Sequence, residues 1–258
     1  EKKMTAILIR SGGWLSEYPK VIHYVSNTSA TQHVEIGYRN SKTVVIPNAF
    51  DMDIFARRDG RAVELKRELG INNEAVLVGL IGRYHPVKDH GNFLEAASLL
   101  LKKRENAHFI LAGRGVDKNN KFLREKVIQL NLADRVHLLG EKEDIVDIVS
   151  SLDIACSSST SEAFPMAIGE AMSCGVPCVV TDVGDSKLIV GNAGRVVPRR
   201  NPKLFAEALI ELVDLGIEGR SQLGLAARNR IIENYSIRSI VNKYENLYHS
   251  VITAARCN

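Results

Sequence analysis

Between Asp153 and Asp182 the sequence carries two charged residues, Glu162 and Glu170, in the otherwise apolar or small-residue stretch "SEAFPMAIGEAMSCGVPCVV". A charge in poorly solvated surroundings costs several kcal/mol unless it is paired or hydrogen-bonded. Both carboxylates therefore call for donors, because an ionised carboxylate only accepts. Pro165 suits the first position of a helix, and Gly175 just past Cys174 suits its end. A helix starting beyond a strand presents free N–H groups and a partial positive charge, which together favour an anion. Glu162 precedes that start; Glu170 lies about one and a half turns inside. Carboxylates on either side of an anion site suit hydroxyl groups flanking the anion, the order found in a ligand with a sugar on each side of a diphosphate. Gly169 inside the helix costs about 1 kcal/mol relative to Ala, which a close approach of ligand or helix would justify. The plainer alternative is that Glu162 caps a helix and Glu170 pairs with a surface cation.

Cations occur upstream in "GRYHPVKDHG". Gly82 allows a tight turn, Arg83 can grip an anion as a fork, and Lys88 can meet it as a point charge. Lys88 reads as lying in the first turn of the next helix, where it opposes the macrodipole unless an anion sits there. Two ordinary surface cations on a solvated loop are the other reading. Gly113 and Gly115 in "AGRGVD" fit a generic tight turn. No G-x-G-x-x-G follows the first strand of the series described below, which argues against a dinucleotide site.

These residues must be held by elements legible from residue 75 onward. "AVLVGLIG" (75–82) is a short apolar run of the kind buried in a parallel sheet. Phe93, Ala96, Ala97, Leu100 and Leu101 then recur at helical spacing. The alternation continues with strand "AHFILAG", a helix near 119–130, strand "RVHLLG", a helix near 143–150, strand "LDIACSS", the glutamate-bearing helix, and strands "PCVVTD" and "AGRVVP" (193–198). Asn201 and Pro202 start a further helix with Phe205, Ala208, Leu209, Leu212 and Val213 inward. A last helix opens at Ser236 and sets Ile237, Ile240, Val241, Tyr244, Leu247, Tyr248 and Val251 on one broad face. The expected fold is α/β, a Rossmann-like doubly wound parallel sheet. In such sheets ligands bind beyond the carboxyl ends of the strands, where the residues singled out above fall.

Residues 1–43 are different. "KVIHYVSNTS" reads as a strand and polar turn and "ATQHVEIGY" as a short helix, too few elements for a domain of their own. The opening "EKKMTAILIR" reads as though the chain begins in mid-element. The 258 residues are 45% apolar and 25% charged, ordinary for a globular protein, and no apolar run approaches 18 residues. The spacing of Cys156, Cys174, Cys178 and Cys257 fits no zinc pattern; reduced core thiols and a cytosolic setting are expected. The net charge of +4 is spread along the chain. It permits anionic ligands or an anionic membrane surface, and no nucleic-acid partner is expected.

"SEAFPMAIGEAMSCGVPCVVTDVG" resembles the E-x7-E signature of the retaining glycosyltransferases of family 4, which have the GT-B fold. "VVIPNAFD" (44–51), "GRYHPVKDH", "ILAGRG", "VHLLGEKEDI" and "NYSI…YENLY" follow the family's order and spacing, so the resemblance covers about residues 21–250. It implies that Arg83 and Lys88 bind the diphosphate of a nucleotide sugar and stabilise charge on the leaving group. Glu162 would hold hydroxyls of the transferred sugar, with Gly82 and the backbone of Phe164, Pro165 and Met166 nearby. Glu170 would take the ribose hydroxyls, and main chain at Lys142 and Glu143 would contact the base. It further implies metal-independent transfer with no cofactor, in which the acceptor attacks from the leaving-group face and a phosphate oxygen takes its proton. Ala163, Met166 and Ala49 stand where relatives often have Gly, Asn and Gly, which blurs donor choice.

By the same resemblance, residues 1–43 would be the closing elements of an incomplete N-terminal acceptor domain, 44–235 the nucleotide-sugar domain, and 236–258 a helix packing back on the first domain. The chain would then be a truncation or fragment of a longer enzyme. The leading expectation is hexosyl transfer from UDP-glucose or a related UDP-hexose to a glycan or lipid-linked acceptor. The setting would be cytoplasmic, at the inner face of a membrane for a lipid-linked acceptor. A donor-binding fragment without turnover, a GDP-mannose-dependent transferase, and another GT-B enzyme such as an epimerase or phosphorylase stand beside it.

Overall fold

The computed structural model describes residues 2–256. Each apolar run from residue 75 onward forms a strand: β3 Val76–Ile81, β4 Ala107–Ala112, β5 Val136–Leu138, β6 Ile154–Ser157, β7 Cys178–Thr181 and β8 Gly194–Val197. All pair in parallel, in the order β5-β4-β3-β6-β7-β8. The chain winds outward from β3 through β4 to β5, then returns to β6 and winds the other way. The crevice between the ends of β3 and β6 is thus the topological switch point, where such sheets take ligands.

Both faces of the sheet are covered, which explains the unbroken apolar runs. Val76, Val78 and Leu80 face α4 (His90–Leu101), α5 (Lys121–Gln129) and α9 (Pro202–Asp214), in a core that includes Phe93, Leu123, Phe205 and Leu209. Leu77, Ile110 and Ala112 face the opposite layer of α3 (Arg61–Glu68), α6 (Ile145–Ser151), α7 (Met166–Ser173), α8 (Ser186–Val190) and α10 (Gly216–Tyr235). Phe205 and Leu209 are fully buried, each contributing about 1.5–3 kcal/mol from its apolar area. Asn201 caps α9 by accepting from Leu204 N at 3.0 Å, with Pro202 opening the helix as expected. Helices α3, α8 and α10 have no counterpart in the sequence reading.

Residues before 46 supply a second, two-stranded sheet. Helix α1 (Lys2–Leu15) precedes β1 (Ile22–Tyr24), α2 (Asn27–Glu35) and β2 (Thr43–Val45), and β1 and β2 pair in parallel. The polar "SNTS", read as a turn, is instead the cap and first turn of α2, because Ser26 Oγ accepts from Ser29 N at 3.1 Å. His23 donates from Nε2 to the Ile46 carbonyl at 2.8 Å, and His33 contacts the Ser29 carbonyl at 2.8 Å, both structural roles. Helix α11 (Ile237–Arg256) buries Ile240 and brings Tyr244 to 3.2 Å from His23, but leaves Ile237, Val241, Tyr248 and Ile252 exposed. On α1, Met4, Ile7, Leu8, Trp14 and Leu15 are likewise exposed. No helix among the described residues is long and apolar enough to cross a membrane.

Candidate functional site

Three loops meet on one side of the switch point. Gly82 N donates to Ala112 O, Tyr84 N to Arg114 O and Gly113 N to Gly140 O, lacing the turns after β3, β4 and β5 together. Gly113 has φ +145°, and a Cβ there would lie 2.3 Å from the Gly82 carbonyl oxygen. Only glycine lets these backbones come so close. On the other side of the crevice, Thr160 N donates to Val87 O at 2.7 Å, and Ser158 Oγ donates to Lys88 O at 2.8 Å. The loop after β6 is thereby fixed to the loop after β3.

This lacing brings Lys88 to Glu162. Lys88 Nζ lies 2.5 Å from Glu162 Oε1, and Ser159 Oγ donates to the same oxygen at 2.7 Å. The Glu162 side chain is 14% exposed and that of Lys88 27%. Glu162 caps no helix; its charge is met by the lysine 74 positions earlier in the chain. Its other oxygen, Oε2, has no hydrogen bond among the described residues. Lys88 lies in a single 3-10 turn, Pro86–Lys88, ahead of α4 and not in its first turn. The expected clash with the α4 dipole does not arise, because Asp89, in the left-handed region at φ 47°, caps α4 by accepting from Asn92 N at 3.2 Å. Arg83 is exposed and finds no side-chain partner among the described residues.

Helix α7 starts at Met166, with Pro165 as its N-cap residue and no side-chain cap. Pro165 thus stands one place earlier than expected, and the first N–H groups of α7 are left for whatever lies in front of them. Phe164 is buried, stacked on Phe50 at 6.1 Å between ring centroids and edge-on to Tyr235 at 5.9 Å. Its ring therefore serves the core, leaving its backbone at the loop. Gly169 has a structural cause: a Cβ there would sit 1.9 Å from the Phe50 ring. An aromatic side chain, and neither a ligand nor a helix, makes the close approach.

Glu170 is half-buried and its side chain finds no hydrogen bond or ion pair among the described residues, so the surface-cation alternative fails. Burial raises its pKa above the ordinary glutamate value. Lys142 and Glu143 are exposed on the loop after β5, and line a groove with Arg61, Glu64 and Asp147 apart from the Lys88–Glu162 pair. Sequence reasoning missed Ser159, which the run "SSSTS" after a strand signals only as a polar loop. It also missed Gly184, at φ +56°, where a Cβ would meet the Glu162 carbonyl oxygen at 2.3 Å. Cys156, Cys174 and Cys178 are buried free thiols, and burial raises all three pKa values, that of Cys174 to about 11. Cys257 lies outside the described residues.

The parallel six-stranded sheet and its winding order match those of GT-B glycosyltransferase structures. Among solved structures, HepE of Anabaena in complex with UDP and glucose superposes with a TM-score of 0.83 at 22% identity, over 94% of this chain and 66% of that one. WaaG, a glycosyltransferase involved in lipopolysaccharide biosynthesis, gives 0.73 at 18% identity, over 87% of this chain and 61% of WaaG. The family model for glycosyl transferases group 1 matches residues 63–230, well over half of the chain, and the protein belongs to that family. Relatives include the UDP-Gal:α-D-GlcNAc-diphosphoundecaprenol α-1,3-galactosyltransferase of Escherichia coli, 28% identical over 82% of this chain and 55% of its own length. The lipopolysaccharide core mannosyltransferase LpsB of Rhizobium meliloti is 30% identical over 92% of this chain and 70% of its own length. The chain thus spans little more than half of the Escherichia coli relative.

Proposed function

We propose that this chain is the donor-binding part of a retaining family 4 glycosyltransferase that moves a hexose from a nucleotide diphosphate sugar to a glycan or lipid-linked acceptor. The observation that carries the reading is the crevice between β3 and β6. There a lysine and a glutamate are held together in front of a helix start without a side-chain cap, and a second glutamate eight residues on is half-buried without a partner. Lys88, Arg83 and the α7 terminus meet the diphosphate, electrostatic preorganisation aimed where charge grows as the C1–phosphate bond breaks. Glu162 offers Oε2 to a hydroxyl of the transferred sugar, Gly82 and the backbone of Phe164, Pro165 and Met166 lie beside it, and Glu170 accepts from the ribose hydroxyls. Backbone at Lys142 and Glu143 takes the base. The acceptor oxygen bonds to C1 on the leaving-group face and passes its proton to a phosphate oxygen. The protein cations carry the charge compensation, so metal independence is part of the proposal.

A UDP-hexose is favoured as donor because HepE is described with UDP-glucose and the Escherichia coli relative is named for UDP-galactose. The name of LpsB keeps a mannosyl donor as the second reading. The exposed apolar faces of α1 and α11 support a division in which 1–43 close an acceptor domain, 44–235 bind the donor and 236–258 return to the first domain. A cytoplasmic site of action, facing a membrane where the acceptor is lipid-linked, completes the proposal. Calorimetric titration with UDP, UDP-glucose, GDP-mannose and ADP-glucose, with and without EDTA, is the test. Saturable binding of one nucleotide family, unchanged by EDTA and weakened about tenfold or more by Glu170→Ala, is expected. Binding of none, or binding indifferent to Glu170, overturns it.

A further inference from the structure

Asp185 is 4% exposed, yet its carboxylate does not cap the helix it opens, since α8 has no side-chain cap. It reaches instead to the N-terminus of α2, some 158 positions earlier in the chain. Oδ2 accepts from Asn27 N at 2.7 Å and Asn27 Nδ2 at 3.1 Å; Oδ1 accepts from Thr28 N and Thr28 Oγ1, both at 3.0 Å. With Ser26 Oγ on Ser29 N, the first three N–H groups of α2 are all satisfied. A carboxylate at the positive end of a helix also gains from the dipole. The backbone around Asp185 bears on the donor side. Asp185 N donates to Ala163 O at 3.1 Å, and Gly184 presses against the Glu162 carbonyl in a conformation that only glycine takes without strain. One residue thus joins the start of α2, in the 1–43 unit, to the loop that carries Glu162.

We infer that Asp185 is a positioning residue that couples α2 to the Glu162 loop, so that the seat of the transferred sugar depends on where the 1–43 unit stands. This inference rests on the donor-site reading. Displacement of α2 would pull on Asp185, and through Ala163 O and the Glu162 carbonyl would shift the glutamate, leaving the Glu170 side of the site in place. The coupling should therefore act on the sugar part of the donor and not on the nucleotide part.

The test is titration of the chain with UDP and UDP-glucose, and in parallel with GDP and GDP-mannose, for the unsubstituted protein and for Asp185→Ala, Asp185→Asn and Asn27→Pro. The last removes both Asn27 donors at the first helical position, where proline is tolerated, after a residue already extended at φ −150°. Asp185→Ala should weaken the nucleotide sugar about three- to tenfold while changing the bare nucleotide by less than about twofold. Asp185→Asn and Asn27→Pro should fall between. In a Glu162→Gln background the Asp185→Ala effect should vanish. A lowered melting temperature with an unchanged ratio of the two affinities would make Asp185 a cap of α2 and nothing more, and equal loss of both ligands would equally overturn the coupling. No binding by the unsubstituted chain would remove the donor-site reading and this inference with it, whereas binding with an unaltered ratio removes the inference alone.

Discussion

Glu162 and Glu170 have the same side chain and opposite situations. Glu162 has a cation and a hydroxyl on one oxygen; Glu170 has neither and is held above its ordinary pKa by burial. A carboxyl whose folded pKa is raised binds protons more readily folded than unfolded, so its unfavourable effect on stability is present at neutral pH and fades as pH falls toward the ordinary value. Glu170→Gln should therefore raise the melting temperature at pH 7, by a few degrees, with the gain shrinking as the pH approaches 4.5. Thermal unfolding at a series of pH values checks this. The same substitution should weaken nucleotide binding, as expected where a site holds an unfavourable charge for a ligand. The sequence pattern located both glutamates and implied that they need donors. It could not distinguish them, because the partner of Glu162 comes from a loop 74 positions away.

At the scale of elements, α7 is shaped by what packs on it. Gly169 faces the ring of Phe50, and Phe50 is pinned by donating from its N to Tyr235 O at 2.8 Å and accepting from Ile237 N at 3.1 Å. Gly169→Ala should destabilise the chain by about 1–3 kcal/mol, the usual range for overpacking, and Phe50→Leu should recover part of the loss in the double variant. Urea unfolding of the two single variants and the pair measures it; additive losses would mean that the methyl group meets something other than the ring. Helix α10 illustrates why one long element was illegible. Its buried positions are Arg220, Gly224, Ala227 and Ile231, a helical stripe in which only the last two are apolar with a side chain. Arg220 works inward through the Val213 carbonyl at 3.0 Å and Asp153 at 3.6 Å. Gly224 sits where a Cβ would lie 2.0 Å from Gly175 O. A stripe of that composition carries no hydrophobic period. The short helix α8 was hidden for a related reason, since five residues are too few to establish one.

Part of the molecule's response to acid follows from two histidines, one buried and one half-buried. His90 is 1% exposed and its pKa is lowered to about 4, by burial and then by Lys88. His108 is also lowered to about 4, by burial first, then by His137, Arg135 and Lys66. Unfolded, both would take up protons near 6.5. Through these two groups the unfolded state binds more protons between pH 6.5 and about 4, so their contribution to stability falls as pH drops through that window and levels below it, opposed in part by Glu170. His90→Phe, which keeps a ring against Tyr84, should flatten the profile by its share, measured as the change in unfolding free energy with pH. A profile unchanged by the substitution would place the acid sensitivity elsewhere.

The alternation of apolar runs and helical periods was sufficient to predict a doubly wound parallel sheet, because strands buried on both faces and helices buried on one leave different periods in the chain. The same local signals placed Lys88, Glu162 and α7 just beyond strand ends. Tertiary structure alone decided that Lys88 belongs to Glu162, that Gly169 yields to Phe50, and that Asp185 serves α2 and not its own helix. The first depends on which loops the winding order brings together across the switch point, and the other two on where residues that precede β3 settle against α7 and α8. Periodicity records how a residue stands relative to its own element and carries no information about the distant residue it will meet.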